Sequence, residues 1–431
     1  MSDFSITIND NGLSAKLKLE SKNTIPSKED ILKKCKDLKI SHGIEIDLAI
    51  EQLESSSEPI IFAKCKKPKY EEDISFKWGV DLKDIHKPNI DANDNANYKD
   101  LNQFIPLVKD QKIVSINKPI VKESGIDIFG NKIDFLPVNA FFQAGNNITI
   151  SEDKLSLIAN IDGCLFVKSG VLHVDDVYQI RGDVDFHTGN IDFNGDVIIG
   201  GDVKSGFQII SRGNIYVNGT VESSDLRSKE GSVFIKNGIQ GKNNCSIKAP
   251  KGSVFSGYVQ NARIECGNFF HAQNYVIDSK IKSKGIVDLS GGDGIIRGSV
   301  VLSKIIKCNT IGSENSSSFS EVTFNNENDM EIQPISSNLI LFLEGIKDRL
   351  MLFPSIKPDE MEIIENRIAN WKKTIETALK ESFDVPTAIV KKQLFKNINF
   401  NFDDLNFSSE KVYNNVEIKI ENQNFKIVEQ Q

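Results

Sequence analysis

Five aspartates in the middle of the chain are the residues most suited to acid–base chemistry. They are Asp183, Asp185, Asp192, Asp196 and Asp202, with Arg181 close by in the sequence. Paired carboxylates on the wall of a β-structure act as general acid and base in enzymes that cleave polysaccharides. Asp183, Asp196 and Asp202, however, each follow a glycine, and a short polar side chain after a glycine is typical of a turn. A turn accounts for these aspartates without catalysis, and we predict no catalytic residues.

The histidines do not suggest an alternative catalytic site. A histidine base such as His187 or His271 would fit a hexapeptide acyltransferase, but that fold requires an aliphatic residue at every sixth position. The pattern here does not keep that period. His42, His86 and His173 do not form a cluster with the spacing of metal ligands. We therefore predict no metal site.

The glycine-rich run at residues 291–294 is the nearest approach to a phosphate-binding loop. It lacks the Lys-Ser/Thr pair that follows the glycines in such loops, and no strand-to-helix pattern surrounds it. A corner of a β-structure explains it better. We therefore predict no bound cofactor.

The composition is that of a soluble protein with a modest excess of acidic residues. The 431 residues include 39% hydrophobic and 26% charged side chains, with a formal net charge of −8. This balance argues against nucleic acid as the main partner, because phosphate contacts require a basic surface. Six scattered cysteines without a CxxC pair indicate reduced thiols and a cytoplasmic location. Neither a signal peptide nor a sufficiently long apolar run is present, so we predict no membrane insertion.

The aspartates belong to a repeat that must position them. A glycine, a short residue and an apolar stretch recur at spacings of 18, 18, 21, 15 and 18 residues, starting from Gly195, Gly213, Gly231, Gly252, Gly267 and Gly285. A fixed period of short strands and glycine turns is typical of a β-solenoid. Apolar residues alternate within the strands, as at Val197, Ile199, Ile215 and Val217. Stacked coils bury these side chains in a shared core, which a single coil cannot do.

Five segments are predicted around this repeat. Residues 1–110 form an N-terminal α/β module with a polar insertion, 111–170 a β connecting region, 171–320 the β-helix, 335–382 an antiparallel helical hairpin, and 383–431 a tail with a terminal β-hairpin. The helical hairpin is predicted from apolar residues spaced by three and four positions from Leu339 to Phe353 and from Met361 to Ala378, which is typical of coiled-coil packing. The fold class is therefore mainly β, and the flanking segments are expected to cap the solenoid.

Four features resemble the flagellar assembly protein A family of bacterial β-helix proteins. The stretch from Ile25 to Ile44 has the family's order of elements, and residues 125–130 (GIDIFG) resemble its Gly-x-Asp-x-Phe-Gly turn. Residues 182–197 are similar to the family's most recognisable block, and a helical hairpin follows the solenoid there too. Residues 122–125 (KESG) replace the usual Thr-Pro-Gly lead, which marks a divergent member. The structural motif residues are Gly125, Asp127, Phe129, Gly130, Gly182, Asp183, Gly189, Asn190, Gly195 and Asp196.

The resemblance implies a right-handed parallel β-helix and a non-enzymatic cytoplasmic scaffold or adaptor. Such a protein would act in flagellar assembly or placement by binding flagellar, polar-placement or signalling proteins, and a homo-oligomer is left open. One alternative is a self-assembling, cytoskeletal-type β-helix whose open ends pair with each other. The other, less favoured by the sequence, is a carbohydrate-active β-helix enzyme.

Overall fold

The computed structural model describes most of the chain as two compact units. The described residues are 4–9, 12–20, 25–55, 58–81, 89–90, 96–97, 104–314, 319–325, 332–351, 358–380 and 385–430. One unit comprises Met1–Leu82 and Leu107–Val174, and the other Lys83–Pro106 and Asp175–Gln431. Most of the polar insertion predicted within residues 1–110 lies outside the described residues, which include only 96–97 of the stretch 91–100.

The first unit begins with a three-stranded antiparallel sheet and two helices. The strands are Phe4–Ile8, Ser14–Leu19 and Ile60–Lys64, and the helices are α1, Lys28–Asp37, and α2, Ile46–Ser55. Ser27 caps α1, since its Oγ accepts a hydrogen bond from the backbone N–H of Asp30 at 3.2 Å. Apolar side chains of the sheet and the helices, among them Leu17, Ile31 and Phe62, form one buried core.

The rest of this unit consists of short strands. Two antiparallel pairs are Lys69–Tyr70 with Val121–Glu123, and Gly125–Ile126 with Lys132–Ile133. One sheet contains Ile148–Ile150, Ser156–Ala159, Lys112–Ile116 and Phe76–Trp78, and another contains Gln143–Ala144, Val171–Asp175 and Gly163–Lys168. Ile105–Leu107 is a further strand, and Val138–Ala140 form a short 3-10 helix.

The second unit contains a parallel β-solenoid of eight coils between Val177 and Phe324, in which successive coils add strands to three ladders. Ladder A contains Val177–Ile180, Asp196–Ile199, Ile215–Val217, Val233–Ile235, Val254–Ser256, Phe269–Ala272, Ile286–Leu289 and Ile305–Ile311. Ladder B contains Thr220–Glu222, Gly238–Gln240, Val259–Gln260, Tyr275–Ile277 and Ile295–Arg297, and single-residue bridges at Val184 and Val203 precede it. Ladder C contains Ile191–Phe193, Gln208–Ser211, Asp225–Ser228, Ser246–Ala249, Arg263–Cys266, Lys280–Ser283, Val300–Ser303 and Ser320–Phe324.

Two helices interrupt the solenoid before its last parallel strands. Helix α3, Ile332–Leu350, and helix α4, Pro358–Lys380, follow ladder C. The next strands, Thr387–Leu394 and Ile398–Phe402, pair in parallel with the ends of ladders A and C. These two strands lie beyond the range 171–320, in which the repeated glycine turns predict the β-helix, and they join the ladders in register without such turns.

Antiparallel strands and aromatic side chains close the two ends of the solenoid. At the C-terminal end, Leu405–Ser408, Tyr413–Glu421 and Asn424–Glu429 pair antiparallel, and their cluster contains Phe324, Phe400, Phe407 and Phe425. At the other end, the ring of Phe104 lies 4.6 Å from that of Tyr178 and 5.3 Å from that of Phe193. Antiparallel strands therefore pair with the parallel edges at the C-terminal end, and aromatic rings pack beside the first strands of ladders A and C at the other end.

Ladders A and C differ in the exposure of their outward-facing side chains. Ladder C strands alternate between buried and exposed residues, as in Arg263–Cys266 and Lys280–Ser283. Ladder A strands such as Ile215–Val217 and Val233–Ile235 are buried at every position. A strand buried on both faces indicates that another element covers its outer side. Helices α3 and α4 provide that cover.

Two corner glycines make a matched test of the packing between coils. A Cβ atom at Gly252 would lie 1.9 Å from the backbone oxygen of Gly231, whereas a Cβ atom at Gly182 would meet no atom within 4 Å. We expect Gly252→Ala to lower the free energy of unfolding by about 1–3 kcal/mol, because the coils must move apart. Gly182→Ala should change it by less than about 0.5 kcal/mol. Chemical denaturation of both variants measures the difference, and equal stability would refute this packing account.

Candidate interaction surfaces

The motif aspartates lie at the corners of the coils and bind the backbone of the next coil. Asp183 Oδ1 accepts a hydrogen bond from the Asp202 N–H, and Asp202 Oδ1 accepts one from the Thr220 N–H, both at 2.8 Å. At another corner, Asp196 Oδ1 accepts from the Asn214 N–H at 2.8 Å, and the Asn214 side chain accepts from the next coil in turn. At these corners the short polar residue after the glycine thus supplies an acceptor that links adjacent coils.

The other two aspartates also have local partners. Asp185 Oδ1 accepts a hydrogen bond from the His187 N–H at 2.8 Å, and Asp192 pairs with Lys229 at 3.4 Å. Lys204 forms a three-way cluster with Asp183, Asp202 and Glu222. Asp183 and Asp202 thus converge with Glu222 on Lys204, whereas Asp185, Asp192 and Asp196 have separate partners. The structure does not bring all five aspartates together at one site.

The remaining solenoid motif residues also shape corners. Gly189 has a positive φ of 70°, which favours glycine, and the side chain of Asn190 accepts a hydrogen bond from the Gln208 N–H at 2.8 Å. Gly195 leaves no room for a side chain, because a Cβ atom there would lie 2.1 Å from the backbone oxygen of Asp176. These contacts give the block at residues 182–197 a structural role.

The Gly125–Gly130 turn is built into the core of the first unit. Asp127 Oδ1 accepts hydrogen bonds from the N–H groups of Phe129 at 2.9 Å and Asn131 at 2.7 Å. Gly130 has a φ of 91°, and a side chain at Gly125 would collide with the backbone of Lys66. Ile128 is fully buried with the sheet and helix residues of this unit, and Phe129 packs against the same core. The turn thus anchors the connecting region to the N-terminal sheet.

Helices α3 and α4 cover the outer side of ladder A with apolar side chains. The solenoid contributes Ile198, Tyr216, Phe234, Phe255, Phe269, Ile286 and Ile305, and the helices contribute Leu339, Phe342, Leu343, Ile346, Ile364, Ile368 and Trp371. The Trp371 ring lies 5.0 Å from that of Phe255 and 5.2 Å from that of His271. Sequence reasoning missed this interface, although the unbroken apolar triplets of ladder A were its signal.

A buried histidine–aspartate pair lies beneath this helical cover. His271 Nδ1 is 3.0 Å from Asp288 Oδ2, and the two residues are only 2% and 1% exposed. Burial raises the pKa of Asp288, but hydrogen bonds from His271 and Ser290 outweigh it and hold the pKa below its usual range. Among the described residues, His271 Nε2 has no hydrogen-bond partner. No group of three potential metal ligands occurs in the described part of the chain.

A groove of about 420 Å³ runs between α4 and a corner of the solenoid. Lys236, Asn237, Tyr258 and Asn274 line its solenoid side, and Ile364 and Arg367 line its helical side. The ring of Tyr258 stacks on that of Tyr275 at 5.3 Å. The groove combines cationic and amide side chains.

The outer side of ladder C is exposed and rich in cations. We define the basic face as the ladder residues Arg227, Lys248, Arg263, Lys280 and Lys282 with the adjoining corner residues Lys229, Lys251, Lys284 and Lys304. Asp225, Glu230 and Glu265 are the acidic residues among them. The five ladder cations are exposed. The basic residues come from five successive coils, so the face exists only in the folded chain.

The comparisons with known proteins identify the family. Residues 176–431 match the model of the Flagellar Assembly Protein A beta solenoid domain, and residues 4–170 match the model of the Flagellar Assembly Protein A N-terminal region. A search of curated proteins and a search of solved structures each found no match. None of the helices in the described ranges has the length and hydrophobicity needed to cross a bilayer. Because the two matches take in nearly the entire chain, the protein belongs to the flagellar assembly protein A family.

Proposed function

We propose that this protein is a non-enzymatic, cytoplasmic scaffold or adaptor that acts in flagellar assembly or placement by binding other proteins. Membership of the family indicates a role related to flagellar assembly. The observation that favours a scaffold is that aspartates of the solenoid bind the backbone of the next coil. Asp183, Asp196 and Asp202 join one coil to the next, and all three lie at corners.

The helices and the N-terminal unit are the proposed attachment points. Ion pairs join Glu344 to Lys372 and Lys347 to Glu365. The residue nearer the C-terminus of α3 thus pairs with the residue nearer the N-terminus of α4. This order supports an antiparallel hairpin of the coiled-coil type. Flagellar, polar-placement or signalling proteins are the proposed partners. The right-handed path of the coils and the bounds of the five predicted segments stay predictions.

The two alternative functions have less support. A self-assembling filament requires open parallel edges at both ends. In the described solenoid, antiparallel strands pair with the C-terminal edges, and the ring of Phe104 packs on Tyr178 and Phe193 at the other end. A carbohydrate-active enzyme requires a groove in which carboxylates from neighbouring coils converge on a substrate. Asp183, Asp202 and Glu222 instead converge on the side chain of Lys204, and the other three aspartates have separate partners. The scaffold accounts for both observations.

The proposal is tested by affinity purification of the tagged full-length protein from its native cells, with mass spectrometry as the readout. We expect flagellar, polar-placement or signalling proteins to be enriched over a tag-only control. Leu48→Lys places a charge on the first unit, and Leu341→Lys places one on α3. These leucines are 56% and 65% exposed, so both variants should fold. Loss of the partner from the first variant alone would assign the contact to the N-terminal unit, and recovery of no such protein by the wild type would refute the scaffold.

A further inference from the structure

We infer that the basic face binds the surface of an anionic phospholipid membrane, with the protein remaining outside the bilayer. The known family role does not specify such a contact. The inference is drawn from the placement of charges on ladder C and is independent of the proposed scaffold function.

The register of ladder C gathers the cations into columns. Arg227, Lys248 and Lys282 occupy one outward column, in which Glu265 lies between the two lysines. Arg263 and Lys280 are register partners in the neighbouring column. Because adjacent parallel strands lie about 4.8 Å apart, these cations share a patch about 15 Å long. Along the sequence, by contrast, the cations of successive coils are at least 15 residues apart.

The charge of this face is opposite to that of the whole chain. Nine cationic residues stand against four acidic ones, when Asp192, the partner of Lys229, is counted with Asp225, Glu230 and Glu265, whereas the chain carries a net charge of −8. Lys229 and Lys251 have acidic partners at 3.4 and 3.8 Å. Within the described ranges, no ion pair involves Arg227, Lys248, Arg263, Lys280 or Lys282. Five exposed cations are thus available to an external anion. An anionic surface would repel the acidic rest of the protein and attract this face, so the protein would approach it with the basic face first.

The shape of the face favours a membrane over a nucleic acid. The outward residues of ladder C from Asp225 to Leu302 include no aromatic side chain, so bases have no stacking platform. The face consists of sheet strands, and α3 and α4, the described helices of this unit, pack on ladder A and not on this face, so neither is placed there to enter a DNA groove. A flat array of lysine and arginine matches the plane of lipid headgroups. Helices α3 and α4 pack on ladder A and leave ladder C exposed.

Binding of the purified full-length protein to vesicles tests this inference. The probes are vesicles of phosphatidylglycerol with phosphatidylcholine and vesicles of phosphatidylcholine alone, measured by flotation at 50 and 300 mM salt. We expect binding to the anionic vesicles only, and weaker binding at the higher salt concentration. The combined variant Lys248→Gln, Lys280→Gln, Lys282→Gln should bind about 100-fold more weakly, since each cation near an anionic leaflet contributes about fivefold.

A matched variant separates the basic face from overall charge. Lys391→Gln, Lys392→Gln, Lys396→Gln removes three exposed lysines outside the basic face and should keep wild-type binding. Equal losses in the two triple variants, or no binding of the wild type to anionic vesicles, would overturn the inference. Tighter binding to a 30-base-pair DNA duplex than to anionic vesicles at the same salt concentration would overturn it too, in favour of a nucleic acid. None of these results depends on whether the protein binds a flagellar partner.

Discussion

Replacing Trp371 with alanine should lower the free energy of unfolding by about 3–5 kcal/mol. Trp371 is buried between α4 and ladder A, where its ring contacts those of Phe255 and His271. Removing the indole leaves a large cavity at the centre of this interface. Because α3 and α4 share the same apolar cluster, both helices should lose protection when it opens.

Hydrogen–deuterium exchange of the two helices, together with chemical denaturation, measures this effect. Ile363→Ala is the matched control, because Ile363 lies on the same helix with 53% of its surface exposed. We expect fast exchange over α3 and α4 in Trp371→Ala and slow exchange in the control. If both variants exchange like the wild type, the helices do not depend on this contact for docking.

Breaking the buried His271–Asp288 pair should have an effect of similar size. In His271→Leu, Asp288 stays buried and keeps the two hydrogen bonds from Ser290. Leaving a buried charge without its partner reduces stability by about 3–5 kcal/mol. The double variant His271→Leu, Asp288→Leu removes the charge as well, so it should be more stable than the sum of the two single variants predicts, by about 1–3 kcal/mol.

A double-mutant cycle by chemical denaturation measures this coupling. The surface pair His187 and Asp185 is the control, because the side chain of His187 is 98% exposed and 3.7 Å from Asp185. His187→Leu should change the free energy of unfolding by less than about 0.5 kcal/mol. Additive effects of the two buried substitutions would show that the pair is not coupled.

The same pair should make stability depend on pH in the acidic range. The folded pKa of Asp288 lies below its ordinary value of about 3.9, so the ionised carboxylate stabilises the folded state above about pH 4. That stabilisation is lost as the pH falls through the folded pKa. Chemical denaturation at a series of pH values measures this effect. Below pH 4, the free energy of unfolding should fall less steeply with decreasing pH in Asp288→Asn than in the wild type. If the free energy of unfolding changed with pH in the same way in both proteins, Asp288 would not be the source of this pH dependence.

The solenoid could be predicted from the sequence because its corners repeat in the chain itself. The glycine and the short polar residue after it recur near every eighteenth position, and the structure shows these residues joining the coils. The helical cover of ladder A was harder to predict, because Ile215 and Val217 fit a strand with one buried face, although Tyr216 between them is apolar as well. That residue marks a strand buried on both faces.

The basic face and the last parallel strands could not be predicted from local patterns. The densest basic run in the sequence, at residues 64–69, lies elsewhere, and its Lys66 and Lys69 pair with Glu123. The cations of the basic face are separated along the chain, and only the ladder register brings them together. Likewise, Thr387–Leu394 joins ladder A after two intervening helices, which is a contact between distant parts of the chain.

Flagella counted by electron microscopy in cells lacking the gene test the flagellar role most directly. The account predicts that deletion changes the number or the position of flagella, and that wild-type protein restores both. Ile363→Ala should restore them too, because it leaves the packing of α4 intact, whereas Trp371→Ala should restore them poorly at equal protein levels. Normal number and position of flagella in the deletion strain would contradict the proposed role.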